Sequence, residues 1–96
     1  MDKMTAERII IEGERISSRD DLFNELRLQL GEDRLIGSNL DALHDVLTSI
    51  THHTVIEIQN RQKLEEALGD YWKRLMWLLN DCLDENRDLT LETETE

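Results

Sequence analysis

Three short β-branched or apolar runs, each separated from the next by enough chain for two helices, restrict this sequence more than any other feature. Residues 8–12 carry Ile9, Ile10 and Ile11 in a row and stop at Gly13, the pattern of a strand buried on both faces. Residues 54–58 (Thr-Val-Ile-Glu-Ile) and 89–92 (Leu-Thr-Leu-Glu) are the second and third candidates. Antiparallel hairpins need turns of a few residues, and none separates these runs. Long helical crossovers instead imply parallel neighbours joined by right-handed connections. The expected class is therefore α/β, a three-stranded parallel sheet packed with about four helices. With 96 residues the chain can bury one core but not two. A single domain is expected over 1–96, its core spanning about 8–92.

The helices announce their ends. Ser18 opens the first, with Asp21 three residues on as a capping partner; Leu22, Phe23, Leu26 and Leu30 share its inner quadrant, and Gly31 ends it. After a loop over 32–37, Ser38 or Asn39 caps a second helix that runs to about Ser49, with Leu40, Leu43, Val46, Leu47 and Ile50 as its apolar stripe. Asn60 caps a short third helix containing Leu64, Ala67 and Leu68, closed by Gly69. A long fourth helix follows over 70–85. Its broad apolar face (Tyr71, Trp72, Leu75, Leu78, Leu79, Cys82, Leu83) is expected to pack on the sheet. The alternating Thr/Glu tail after the third strand is expected to be solvated.

Charge narrows the functional classes. Lys and Arg number 11 against 22 Asp and Glu, a formal net charge of −11. Nucleic-acid affinity comes mostly from Lys and Arg on phosphates, so this balance argues against binding DNA or RNA, and equally against an anionic membrane surface. It favours fast association with basic partners. One cysteine, Cys82, excludes an intrachain disulfide and a paired-cysteine zinc site, which fits a reducing cytoplasm; it reads as a small core residue. The first residues show no apolar run behind a basic start, so no signal peptide is expected. The longest apolar run, 75–79, is far below a membrane span, and the four scattered glycines form no phosphate loop.

The second helix holds the sharpest signal. Asp41 and Asp45 stack one turn apart, opposite the apolar stripe, and no Lys or Arg lies between Ser38 and Thr54 to offset them. Like charges at this spacing cost a few tenths of a kcal/mol, so helix stability does not favour the pair. Structural explanations exist. Asp41 lies three residues after Ser38 and could close a capping box, and Asp45 could be ordinary surface. Asp41, His44 and Asp45 could in principle meet on a metal, but three ligands without a second cluster are a thin donor set, and no metal or cofactor is expected.

Residues 37–48, Gly-Ser-Asn-Leu-Asp-Ala-Leu-His-Asp-Val-Leu-Thr, resemble the signature helix of the barstar family, intracellular inhibitors of barnase-type ribonucleases. Ile-Ile-Ile-Glu-Gly at 9–13 resembles that family's first strand and turn. Ser17-Ser18 with Asp21-Leu22 resembles its first helix start, and Asp88-Leu89-Thr90-Leu91 its last strand. The resemblance covers about 8–92. It implies a three-stranded parallel sheet with helices, and an inhibitor that presents carboxylates to a ribonuclease site built for phosphate. Asp45 would match the central plugging aspartate, Asp41 the aspartate one turn earlier, and Asp81 an acidic position late in the long helix. Gly37, Asn39 and Leu40 would match the segment that approaches the enzyme. His44 stands where the family usually has Trp, Leu35 and Ile36 where it has an aromatic pair, and Thr54 where it often has Pro.

The sequence thus points to a cytoplasmic, non-enzymatic, monomeric inhibitor of a basic barnase-like ribonuclease, bound one-to-one through Asp45, Asp41, Asp81, Asn39, Gly37, His44, Leu40 and Leu35. The alternative is an acidic interaction module for a basic protein that is not a nuclease. An enzyme would need a base with a reacting partner, and only His44 between two aspartates offers one. Trp77 and Asp81 fall outside the inner face of the long helix. Trp77 either packs under a neighbouring helix or serves as a spare aromatic anchor. His52 and His53 read as a solvated loop pair, and Lys73 and Arg74 as partners of nearby acidic groups.

Overall fold

The three apolar runs become three strands lying side by side. A computed structural model of the protein describes residues 7–35 and 37–93. In it β1 (Glu7–Glu12) leads through a 3-10 turn (Gly13–Arg15) to α1 (Arg19–Leu30) and α2 (Leu40–Thr48); β2 (Thr54–Gln59) leads to α3 (Arg61–Leu68) and α4 (Asp70–Glu85); β3 (Leu89–Thr93) ends the described chain. The sheet order is β1-β2-β3 and both pairings are parallel, the α/β class expected from the helical crossovers. Ile36, and the tail beyond Thr93, lie outside the described residues.

The pairing register sorts the strand side chains onto two unlike faces. Ile9 pairs with Ile56, Ile11 with Ile58, and Thr54 with Leu89. These isoleucines and Leu89 join one cluster with Leu22, Phe23 and Leu26 of α1, Leu43 and Leu47 of α2, Leu64 and Leu68 of α3, and Leu75, Leu78, Leu79 and Cys82 of α4. All four helices therefore cover the same face. The expectation that β1 is buried on both faces is corrected here. Ile10 points the other way and is only half-buried, on a mostly polar face carrying Arg8, Glu57, Gln59, Thr90 and Glu92 around a buried Val55. Arg8 spans the sheet there, 2.7 Å from Glu57 and 3.2 Å from Glu92. The Gln59 amide, and then Arg8, hold the Glu57 carboxyl below the usual carboxylate range.

As a sheet edge, β1 leaves backbone groups without a strand partner. Gln29 of α1 satisfies both of those on Ile10: its carbonyl oxygen accepts from Ile10 N–H at 2.7 Å, and its amide donates to Ile10 C=O at 2.7 Å.

Local chemistry sets the helix boundaries. Ser18 Oγ accepts from the Asp21 N–H at 3.2 Å, as expected, while the Asp21 carboxylate reaches back to the hydroxyl and N–H of Ser17, which lowers its pKa. Gly31 ends α1 at φ 108°, and Leu30 is only partly buried. Asn60 precedes α3 but does not cap it with its side chain. Its backbone is left-handed, φ 53°, a conformation Asn tolerates, and its amide donates to Glu12 instead. That bond holds the end of β1 near the start of α3, where Gly13 packs so closely that a Cβ would collide with the Asn60 carbonyl oxygen and lie 3.0 Å from Leu64 N.

Candidate functional site

The acidic helix is nine residues long, too short to persist alone in water. Tertiary contacts hold it: Leu43 and Leu47 are fully buried, each worth about 2 kcal/mol in removed apolar surface. Its first turn is capped by Asn39, whose side-chain oxygen accepts from Ala42 N–H at 2.8 Å. Ser38, the other cap candidate, instead accepts from Arg27 Nη2 at 3.0 Å. Asp41 is therefore not closing a capping box on Ser38.

With that role gone, Asp41 stands exposed, as does Asp45 one turn on. Neither carboxylate forms a hydrogen bond or an ion pair with any described residue. Arg34 lines the same cleft of about 380 Å³ as Asp45, with Val46, Ser49, Ile50 and His52, yet stays beyond ion-pair distance. Two like charges one turn apart thus face solvent on a rigid support.

His44 turns the other way, toward α4. Its Nε2–H donates to Asp81 Oδ2 at 3.0 Å, since a carboxylate can only accept, and Glu85 Oε2 lies 3.5 Å away. Asp81 is thereby held against α2, with its side chain still about a third exposed. This geometry separates His44 from Asp41 and Asp45, so those three do not form a common ligand set. Among the described residues, donor atoms that could converge on a cation belong to His44, Asp81 and Glu85, all within 4.8 Å of one another.

A second lock joins the far ends of these helices. Asn86, the residue after α4, is buried, and its amide donates to the carbonyls of Leu47 and Ile50, each at 2.9 Å. Its own oxygen accepts from Asp88 N–H at 3.0 Å. On the other side of α2, Arg27 reaches from α1 to the loop ahead of it, donating to Leu35 C=O at 3.2 Å and Gly37 C=O at 3.4 Å as well as to Ser38. Sequence reasoning missed both residues. Arg27 reads as a basic residue in a last helical turn and Asn86 as a helix stop, and neither position signals a distant carbonyl.

The remaining expected site residues fall differently. Gly37 and Leu40 are half-buried beside Asn39; a Cβ on Gly37 would meet Asn39 Nδ2 at 3.0 Å and Ala42 Cβ at 3.3 Å, so the loop lies tight against the helix start. Leu35 is a correction. It is fully buried in the core and offers no side chain to a partner, because Arg27 binds its carbonyl while its side chain fills the interior. Ile36 falls outside the described residues. Trp77 does not pack under a neighbouring helix: it is 72% exposed. Lys73 and Arg74 form no ion pair with a described acidic group, contrary to expectation. Cys82 is fully buried, and burial, with Asp81 and Glu85 nearby, pushes its thiol pKa up to about 12, so it is no nucleophile.

A family model described as Barstar (barnase inhibitor) matches residues 6–94, nearly the whole chain. The chain belongs to the barstar family. The match takes in the sheet, all four helices and the loop held by Arg27. Within the matched span, the α2 helix holds Asp41 and Asp45 exposed, while His44 on the same helix is tied to α4. No curated protein matches closely enough to add a named relative. No helix among the described residues is long and apolar enough to cross a membrane.

Proposed function

We propose that this protein inhibits a basic, barnase-type ribonuclease in the cytoplasm by placing helix-borne carboxylates where the enzyme binds RNA phosphate. The observation that carries the reading is the pair Asp41 and Asp45, exposed and without any partner among the described residues, in a chain of the barstar family. A ribonuclease cleft holds a phosphodiester with cationic and hydrogen-bonding groups. A carboxylate fixed on a helix satisfies those groups, accepts bidentate bonds from Arg, and offers no bond to cleave. Asp45 sits centrally and meets the phosphate-binding groups. Asp41 supports it from one turn before, and Asp81, steadied by His44, meets the rim. Asn39, Gly37 and Leu40 form the edge that approaches the enzyme. Binding is one-to-one, by a protein that is monomeric when free.

The test is an RNA-cleavage assay with basic ribonucleases and increasing amounts of the protein. The parent should inhibit stoichiometrically. Asp45→Ala should weaken inhibition by at least about thirtyfold, the order expected for a central anchor in protein interfaces generally, and mainly through faster dissociation. Equal inhibition by Asp45→Ala and the parent would remove the phosphate-mimic reading. Capture of a basic protein without nuclease activity, alongside no inhibition of any ribonuclease, would favour a different acidic interaction module.

A further inference from the structure

Only two large apolar side chains among the described residues are strongly exposed, Leu28 on α1 and Trp77 on α4. Trp77 edges a groove of about 300 Å³ between α2 and α4, lined also by Leu40, Asp41, His44, Arg74 and Leu78. The groove is continuous with the proposed inhibitory face, because Leu40 and Asp41 belong to both. Its charged members are opposite in sign, Asp41 and Arg74, and they are not within ion-pair distance of each other. A mixed rim of this kind does not select a charged side chain, whereas Leu40, Leu78 and the indole supply apolar surface for an uncharged one.

We infer that the α2–α4 groove, with Trp77 at its edge, receives an apolar or aromatic side chain of the same basic ribonuclease. The inference rests on the inhibitor reading and extends it. Asp41 in the groove wall and Asp81, bonded to the groove residue His44, hold the basic surroundings of that side chain, and the indole covers it. Exposed tryptophans beside charged neighbours are frequent interface anchors, because a large rigid ring removes much apolar area from water at small entropic cost.

Charge and apolar contact respond differently to salt, and the experiment uses that difference. Dissociation of the ribonuclease complex is followed for the parent, Asp45→Ala, Trp77→Ala, Trp77→Phe and Leu28→Ala at low and high salt. Trp77→Ala should speed dissociation at least about tenfold, by a factor that salt leaves unchanged, since apolar burial is not screened. Trp77→Phe should retain most of the parent's residence time, Leu28→Ala should match the parent, and the Asp45→Ala factor should shrink as salt rises. If Asp45→Ala weakens the complex while Trp77→Ala does not, the groove assignment fails and the inhibitor reading stands. If the parent binds no ribonuclease, both fail. A Trp77→Ala defect that disappears at high salt, or one that instead dissolves a dimer of the free protein, also overturns the assignment.

Discussion

Asn86 shows how one polar side chain can hold two helices in register. Its amide occupies the carbonyls of Leu47 and Ile50 at the end of α2, and its oxygen takes the Asp88 N–H at the turn into β3. All this happens where the side chain is cut off from water. Removing it takes the amide donor from the Ile50 carbonyl and leaves the Leu47 carbonyl only backbone donors such as the Ile50 N–H at 3.4 Å, and an unsatisfied buried acceptor costs more than a bond gains. Asn86→Ala should therefore lower unfolding stability by about 2–3 kcal/mol, read from the denaturant midpoint. A loss below about 0.5 kcal/mol would mean water replaces the amide without penalty. Arg27 acts similarly from the other side, through three bonds to residues 35–38.

At the scale of the element, α1 shows how a cap becomes pH-dependent. The hydroxyl and N–H of Ser17 both bond the Asp21 carboxylate, and they hold its pKa below the ordinary value. Between the folded and unfolded pKa values the unfolded chain binds more protons, so stability rises with pH across that window. The contribution is fully present above the unfolded value and is lost as pH falls through the folded one. Glu57 on the sheet carries the same sign. Melting temperatures taken from neutral pH down to roughly pH 2 should fall more steeply below about pH 4 for the parent than for Ser17→Ala, which removes the largest cause of the Asp21 shift. Parallel curves for the two proteins would show that the bond does not favour the ionised form. α2 contrasts with α1: its cap, Asn39, is neutral, which leaves its carboxylates unengaged.

For the whole molecule the dominant quantity is a net charge of −11. It acts in opposite directions on folding and on association. Crowded like charges repel within the compact state, so added salt should raise the melting temperature modestly. The same charge draws a basic partner from a distance, and salt screens that attraction. The association rate with a basic ribonuclease should fall by about tenfold or more between roughly 10 mM and roughly 0.5 M salt, while dissociation changes much less. Stopped-flow measurements at several salt concentrations check this. An association rate insensitive to salt would mean that the acidic surface does not steer the encounter.

Sequence alone determined what depends on neighbours along the chain. Ser18 before Asp21, Gly31 and Gly69 at helix ends, and the apolar runs near 9, 56 and 89 fixed the elements, because capping and backbone freedom are local. The stripe of α2 likewise placed Asp41 and Asp45 outward, since burying Leu43 and Leu47 leaves the opposite face no other direction. Tertiary structure decided the rest. Three consecutive isoleucines look alike in sequence, but only packing could show that all four helices cover one face and that Ile10 lies on the polar one. Leu35 looked available because a loop residue records nothing of what lies beneath it. Whether Trp77 would be covered depended on where α2 came to rest, and that in turn on Arg27, His44 and Asn86 meeting groups eight to 39 positions away. Periodicity reports which side of a segment avoids water, and only the packed chain supplies the neighbour that meets it.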